Sequence, residues 1–131
     1  MRLLVDGDVL LRWLQGSDDL SAEAVAALRR RTNEVFVSVA TLWELAVKQS
    51  LGQLKVDVDL REHLREQGFE ELPVVGEHAE AVRSLPPHDG DPFDRMLVAQ
   101  ARCEGLTLVT GDRALAAYDV PVLPALAALP G

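Results

Sequence analysis

A single cysteine, Cys103, excludes any disulfide framework within the chain. It falls in an expected helix and reads as a small packed side chain. No apolar run approaches the roughly 20 residues that a membrane span needs. Asp6 interrupts the apolar start, so Met1-Arg2-Leu3-Leu4-Val5-Asp6 reads as a first strand rather than a targeting segment, and a cytoplasmic location is expected. The chain lacks the His/Cys spacing of a zinc site and the Gly-x-x-x-x-Gly-Lys loop that cradles phosphates. Ser38, Thr41 and Ser50 have no nearby His that would make a nucleophile triad. Lysine is scarce, and neither Lys48 nor Lys55 follows the last core strand, which argues against a phospho-acceptor domain of the receiver type. Basic charge is short overall: 13 basic against 21 acidic residues leave a formal charge of −8. Phosphate backbones are normally met by basic surfaces. Arginine nevertheless dominates the basic set, and its planar fork suits bidentate phosphate contacts.

What is present is a pattern of short apolar strands alternating with helices. With 131 residues, 48% of them hydrophobic, the chain is sized for one core, and a single domain over 1–131 is expected. Strands are predicted at 3–5, 35–38, 72–75, 106–110 and 120–123, the last with Pro121 best placed at a sheet edge. Helices are predicted over 8–15, from Ser21 as cap to the Arg29-Arg30-Arg31 run, over 39–51 closed by Gly52, over 57–67 closed by Gly68 with Val58, Leu60 and Leu64 inward, over 77–85, from Pro92 to Glu104 closed by Gly105, and over 112–118. Such alternation argues for an α/β fold, a parallel sheet with helices on both faces in a three-layer α/β/α sandwich. Ligands in such sheets sit beyond the C-terminal ends of the strands.

Acids just after strands therefore stand out. Asp6 directly follows the first strand, and Asp112 follows the 106–110 strand by two residues. Each also precedes a helix, where Asp is a favoured cap, so capping is the alternative for both. Asp94 leads the line Asp94, Leu97, Val98, Ala101 at i, i+3, i+4, i+7, apolar after its first member, which turns it inward; Arg95, Ala99 and Arg102 form the expected wet line. A first-turn acid favoured by the helix dipole is the alternative. Glu44 sits mid-helix, where no capping role exists, on a line with Ala40, Val47 and Leu51. A buried unpaired carboxylate costs several kcal/mol or takes up a proton. A site ligand is the preferred reading of Glu44, and an ion pair with Lys48 at i+4 is the alternative. Four such acids repel one another unless a cation is present, and Mg²⁺ or Mn²⁺ suits carboxylate oxygens.

The run Leu-Leu-Val-Asp6-Gly-Asp-Val-Leu-Leu-Arg-Trp-Leu, Ser38-Val-Ala-Thr-Leu-Trp-Glu44-Leu-Ala-Val-Lys, the His63–Pro73 stretch, Leu85-Pro-Pro-His-Asp-Gly-Asp91-Pro-Phe-Asp94-Arg-Met-Leu-Val-Ala-Gln-Ala-Arg and Leu106-Thr-Leu-Val-Thr110-Gly-Asp112 together resemble the PIN-domain nucleases, specifically the VapC toxins of type II toxin–antitoxin pairs. The resemblance runs from about Leu3 to Val122. It implies a Mg²⁺- or Mn²⁺-dependent endoribonuclease acting on RNA, dimerisation, and inhibition by a cognate VapB-type antitoxin. It further implies that Asp6, Glu44 and Asp94 are the core acids and Asp112 the fourth, with Thr110 supporting through its hydroxyl. Counting back from Ala101-Arg102 selects Asp94 over Asp91, which is left as cap or outer support. Three positions depart from the pattern: Gly7 where Thr or Ser is usual, Asp8 where His is frequent, and His88-Asp89 where a His pair is common. Asp8 and Asp89 read as solvated surface or as groups that tune metal affinity. The missing hydroxyl at Gly7 supports a competing reading, a non-catalytic module whose acidic pocket takes a cation or a basic peptide. Trp13, Trp43 and Leu54 are candidates for an antitoxin groove, core packing being the alternative for both tryptophans.

Overall fold

The computed structural model describes residues 1–56 and 58–126. Its elements run β1 (Arg2–Val5), α1 (Gly7–Leu14), α2 (Ala22–Arg29), β2 (Glu34–Ser38), α3 (Val39–Ser50), α4 (Leu60–Glu66), β3 (Glu70–Leu72), α5 (Gly76–Val82), α6 (Pro92–Glu104), β4 (Thr107–Thr110), α7 (Arg113–Ala116) and β5 (Val122–Pro124). The strands form one sheet in the order β3-β2-β1-β4-β5, with every pairing parallel. Buried strands of a parallel sheet need apolar side chains on both faces, and β1 supplies them: Leu3 and Val5 enter one core, Leu4 the other. The first core packs the sheet against α1, α2, α3 and α4 through Val9, Leu10, Ala24, Leu28, Leu45 and Leu64. The second packs it against α5, α6 and α7 through Ala81, Leu97, Val98, Ala101 and Leu115. The result is the expected α/β/α sandwich. No helix of the described residues is long and apolar enough to cross a membrane.

The sequence order of the strands places the site. From β1 the chain winds outward through β2 to β3, then returns to lay β4 on the other side of β1. Neighbouring loops diverge at that switch point, and a crevice opens beyond the strand ends. Local chemistry sets the helix boundaries around it. Ser21 accepts the backbone N–H of Ala24 at 3.0 Å and starts α2. Pro92 takes the first position of α6, and Gly105, at φ 68°, ends it in the left-handed conformation that side chains disfavour.

Several boundaries differ from expectation. The helix expected over 57–67 begins at Leu60 because Asp59 caps it, accepting from Glu62 N–H at 3.3 Å. Val58, expected inward, is exposed, and Asp57 lies outside the described residues. The strand expected over 72–75 lies earlier, at Glu70–Leu72, and Val74 and Val75 are exposed beyond it. The helix expected over 77–85 ends at Val82, short of Pro86. The 112–118 helix is the single turn Arg113–Ala116, and the last strand is Val122–Pro124, an edge strand after Pro121. The expected wet line of α6 holds only at Arg102, which is exposed: Ala99 is fully buried and Arg95 is half-buried under backbone carbonyls.

Candidate active site

The crevice beyond β1 and β4 is a cleft of about 370 Å³. Asp6, Glu44, Asp94 and Asp112 all line it, together with Gly7, Asp8, Lys48, Asp91 and Leu126 among others. Four elements deliver the four acids. Asp6 ends β1 and caps α1, accepting Val9 N–H at 2.8 Å on Oδ1. Its other oxygen accepts a short hydrogen bond from the Thr110 hydroxyl. That hydroxyl in turn accepts the backbone N–H of Asp112 at 3.0 Å, so Thr110 ties the ends of β1 and β4 together. Asp112 caps α7 through Ala114 N–H at 2.9 Å. The capping alternative is thus realised for Asp6 and Asp112 without removing either from the cleft. Asp91 caps α6, accepting from Phe93 N–H at 2.8 Å and Asp94 N–H at 3.3 Å. Asp94 has no capping duty, and the cleft is where its side chain lies.

Glu44 is placed less simply than its helical line implied. Its line is buried only at Ala40, and Val47 and Leu51 are exposed. Its own side chain is only 15% exposed, and Lys48 Nζ lies 3.8 Å away, so the ion pair and the cleft position coexist. Gly7 explains the close approach: a Cβ there would sit 2.7 Å from Glu44 Oε1. The glycine that costs the site a hydroxyl makes room for this carboxylate. Asp8 points to solvent and pairs with Arg12 at 3.0 Å.

Electrostatics follow from the crowding. Burial pushes the Asp6 carboxyl up from 3.8 to about 6, against the pull of Thr110 and Val9 N–H. Asp94 is pushed up to about 8, first by burial, then by its hydrogen bond with Asp89 and by the charges of Asp91, Asp89 and Asp6. Glu44 is raised by burial and held back by Lys48. One oxygen from each of Asp89, Asp94 and Asp112 lies within 4.8 Å of the others, and Asp6 and Glu44 stand outside this close group. Asp89 is therefore not solvated surface; it is half-buried within the acid cluster. No regular element holds it, so neither strand position nor helical phase pointed to it; its sequence signal was the departure from a His pair at His88-Asp89, which left metal tuning as one of two readings. The donor set fits a hard divalent cation. The cleft-lining groups among the described residues offer carboxylate oxygen with no thiolate or imidazole, and Asp89 Oδ2 is sealed from solvent without a hydrogen-bond partner.

The tryptophans do not share a groove. Trp13 packs on Phe69, with ring centroids 6.1 Å apart, and lines a cleft between α1, α2 and α4. Trp43 is 63% exposed and stands edge-on to Phe93 in a different, apolar cleft. Leu54 packs against the first core.

A switch-point cleft of acids from β1, α3, α6 and the end of β4 defines a class, and the family profile described as PIN domain matches residues 3–121. The chain belongs to the PIN domain family. Ribonuclease VapC22 of Mycobacterium tuberculosis is 34% identical over 126 residues, covering 91% of this chain and 93% of that protein. Among solved structures, VapBC2 from Rickettsia felis bound to a DNA fragment from its promoter superposes with a TM-score of 0.68 at 14% identity, covering 95% of this chain and 99% of that one. FitAcB from Neisseria gonorrhoeae superposes with a TM-score of 0.62 at 23% identity, covering 92% and 95%. These two likenesses are of fold.

Proposed function

We propose that this protein is a toxin endoribonuclease of the VapC type, a single PIN domain over 1–131 that cleaves RNA phosphodiester bonds in the cytoplasm and is held in check by a cognate antitoxin. The observation that carries the reading is the convergence of Asp6, Glu44, Asp94 and Asp112 on one cleft. The named relative, a ribonuclease matched over nine-tenths of this chain, supports it. Mg²⁺ or Mn²⁺ is the proposed cofactor, held by those four carboxylates; when bound, it supplies an activated water and stabilises the leaving oxygen of an in-line displacement. Thr110 fixes the orientation of Asp6 and the start of the Asp112 turn. Asp91 holds the first turn of α6 and so aims Asp94. Lys48 is the basic group among the described residues lining the cleft, and it is placed to meet a phosphate oxygen while neutralising Glu44.

Two further surfaces support the partners. The cleft of about 580 Å³ between α1, α2 and α4 combines an apolar floor, including Trp13, Leu14, Leu20 and Val25, with Arg12 and Arg29, and suits an amphipathic antitoxin segment. The apolar cleft of about 470 Å³ around Val39, Trp43, Val74, Phe93 and Met96 suits self-association into a homodimer. The reading as a binding module rested on Gly7, and the space that Gly7 leaves for Glu44 gives that residue a use within a catalytic cleft. The test is cleavage of a total RNA pool by purified protein in Mg²⁺ or Mn²⁺. Wild type should cut, chelation should stop it, and Asp94→Asn should lower the rate at least about a hundredfold with the fold kept. An Asp94→Asn protein as active as wild type would remove the assignment.

A further inference from the structure

Arg95 differs from the other arginines among the described residues in how many backbone carbonyls its guanidinium meets. Nη2 donates to the carbonyls of Val82 and Leu85, both at 3.2 Å, and Nη1 to Pro86 O and the Tyr118 hydroxyl, both at 3.0 Å, with a longer contact to Asp89 O at 3.4 Å. Tyr118 is buried, and its hydroxyl also accepts the backbone N–H of Asp89 at 3.1 Å. An arginine that satisfies its donors on one stretch of backbone fixes the path of that stretch. Here the stretch is the connection from α5 to α6, and the residue it delivers is Asp89. The side chain of Asp89 is then held in place by Asp91 N–H, which donates to Oδ1 at 2.8 Å. Oδ2 is left over: it is shut off from water and no N–H donates to it. One oxygen of Asp89 lies within 4.8 Å of oxygens of Asp94 and Asp112, where a proton held by Asp94 is the alternative to a cation. Placing a third carboxylate there and leaving one oxygen undonated is unfavourable for the protein alone. A cation shared with Asp94 and Asp112 removes that cost.

We infer that Asp89 is a fifth cation-facing carboxylate of the cleft and that Arg95 and Tyr118 are positioning residues that hold it there. The inference rests on the metal-nuclease reading and adds to it a residue outside the four acids, together with the clasp that aims it. The acid's contribution is to cation affinity, and the clasp acts only through the acid.

The experiment is calorimetric titration of the purified protein with Mn²⁺, alongside melting of the metal-free protein in chelator. Asp89→Asn should weaken Mn²⁺ binding about tenfold or more, while metal-free melting stays level or rises because a like-charge neighbour of Asp94 is gone. Tyr118→Phe should weaken binding by a smaller factor, and Asp89→Asn with Tyr118→Phe should bind no worse than Asp89→Asn alone. A Tyr118 that serves only packing would instead lower the metal-free melting temperature and add its loss to that of Asp89→Asn. Asp94→Asn separates the two levels of the argument. If Asp94→Asn loses Mn²⁺ and Asp89→Asn binds as wild type, the inference about Asp89 is overturned and the metal-nuclease reading stands. If wild type binds no Mn²⁺, both fall.

Discussion

Replacing Asp6 by Asn should make the metal-free protein more stable while destroying its function. Asp6 is only 4% exposed. Its carboxyl is pushed from 3.8 to about 6 by burial, which at about 1.4 kcal/mol per tenfold change in proton affinity makes its ionisation in the fold cost ~3 kcal/mol. A raised carboxyl contributes stability that is fully present below pH 3.8 and is lost as the pH rises through about 6. Wild type at pH 8 has lost all of it; the Asn variant has no such charge to bury. Asn is as good a helix cap as Asp and keeps the bond from Val9 N–H. The charged Thr110 bond is already contained in the rise to about 6; relative to the neutral acid the Asn variant gives up an ordinary Thr110 hydrogen bond, worth ~1 kcal/mol. The net gain is then ~2 kcal/mol, or roughly 6–10 °C in melting temperature for a chain of this length. Thermal melts in chelator from pH 4 to pH 8 are the assay. The gap between variant and wild type should open between pH 4 and 6 and stay flat above 7. Added Mn²⁺ should reverse the order, since it stabilises wild type and finds a weakened site in the variant. A variant less stable than wild type at pH 8, or a gap indifferent to pH, would refute the burial argument.

Three further outcomes are expected. Gly7→Ala should fold normally, because its Cβ would crowd the movable end of Glu44 at 2.7 Å and meet Thr41 Cγ2 at an ordinary 3.5 Å, yet it should slow RNA cleavage by turning that carboxylate aside; unchanged kinetics would show that the approach of Glu44 to Gly7 is idle. If two copies associate through Trp43's cleft as proposed, Trp43→Glu should sediment as monomer where wild type does not, with the isolated fold intact because Trp43 is mostly exposed; a variant that sediments as wild type does would rule that cleft out as the contact. His78→Ala should destabilise by ~2–4 kcal/mol in urea, since the buried ring accepts Val75 N–H at 3.2 Å and bonds Glu104 at 2.8 Å, joining α5 to α6; a loss under 1 kcal/mol would contradict that bracing role.

The sheet and most of its helices were legible because buried parallel strands are short and apolar and their helices carry a 3.6-residue period. Errors fell where apolarity and burial part company. Val74 and Val75 looked like strand but lie exposed, Val74 in Trp43's cleft, and Val58 looked inward before Asp59 opened the helix. The cleft positions of Asp6, Asp94 and Asp112 were legible because strand ends and helical phase are local properties. Glu44 was placed at the cleft for a reason only partly right, since its line is wet at the far end. Asp89 was left open between surface and a metal-tuning group, and Arg95 was read as wet, because the placement of both depends on Tyr118, 29 and 23 residues away, a contact that no local pattern carries.

The most direct test of the central claim is anomalous diffraction from crystals soaked in Mn²⁺ at pH 8, where Asp6 is ionised and a bound cation displaces the remaining proton of Asp94. The carboxylates should share a strong manganese peak in the cleft, within about 2.0–2.3 Å of Asp94 and at least one other acid. A cleft without manganese under conditions in which the same preparation cleaves RNA would contradict the account.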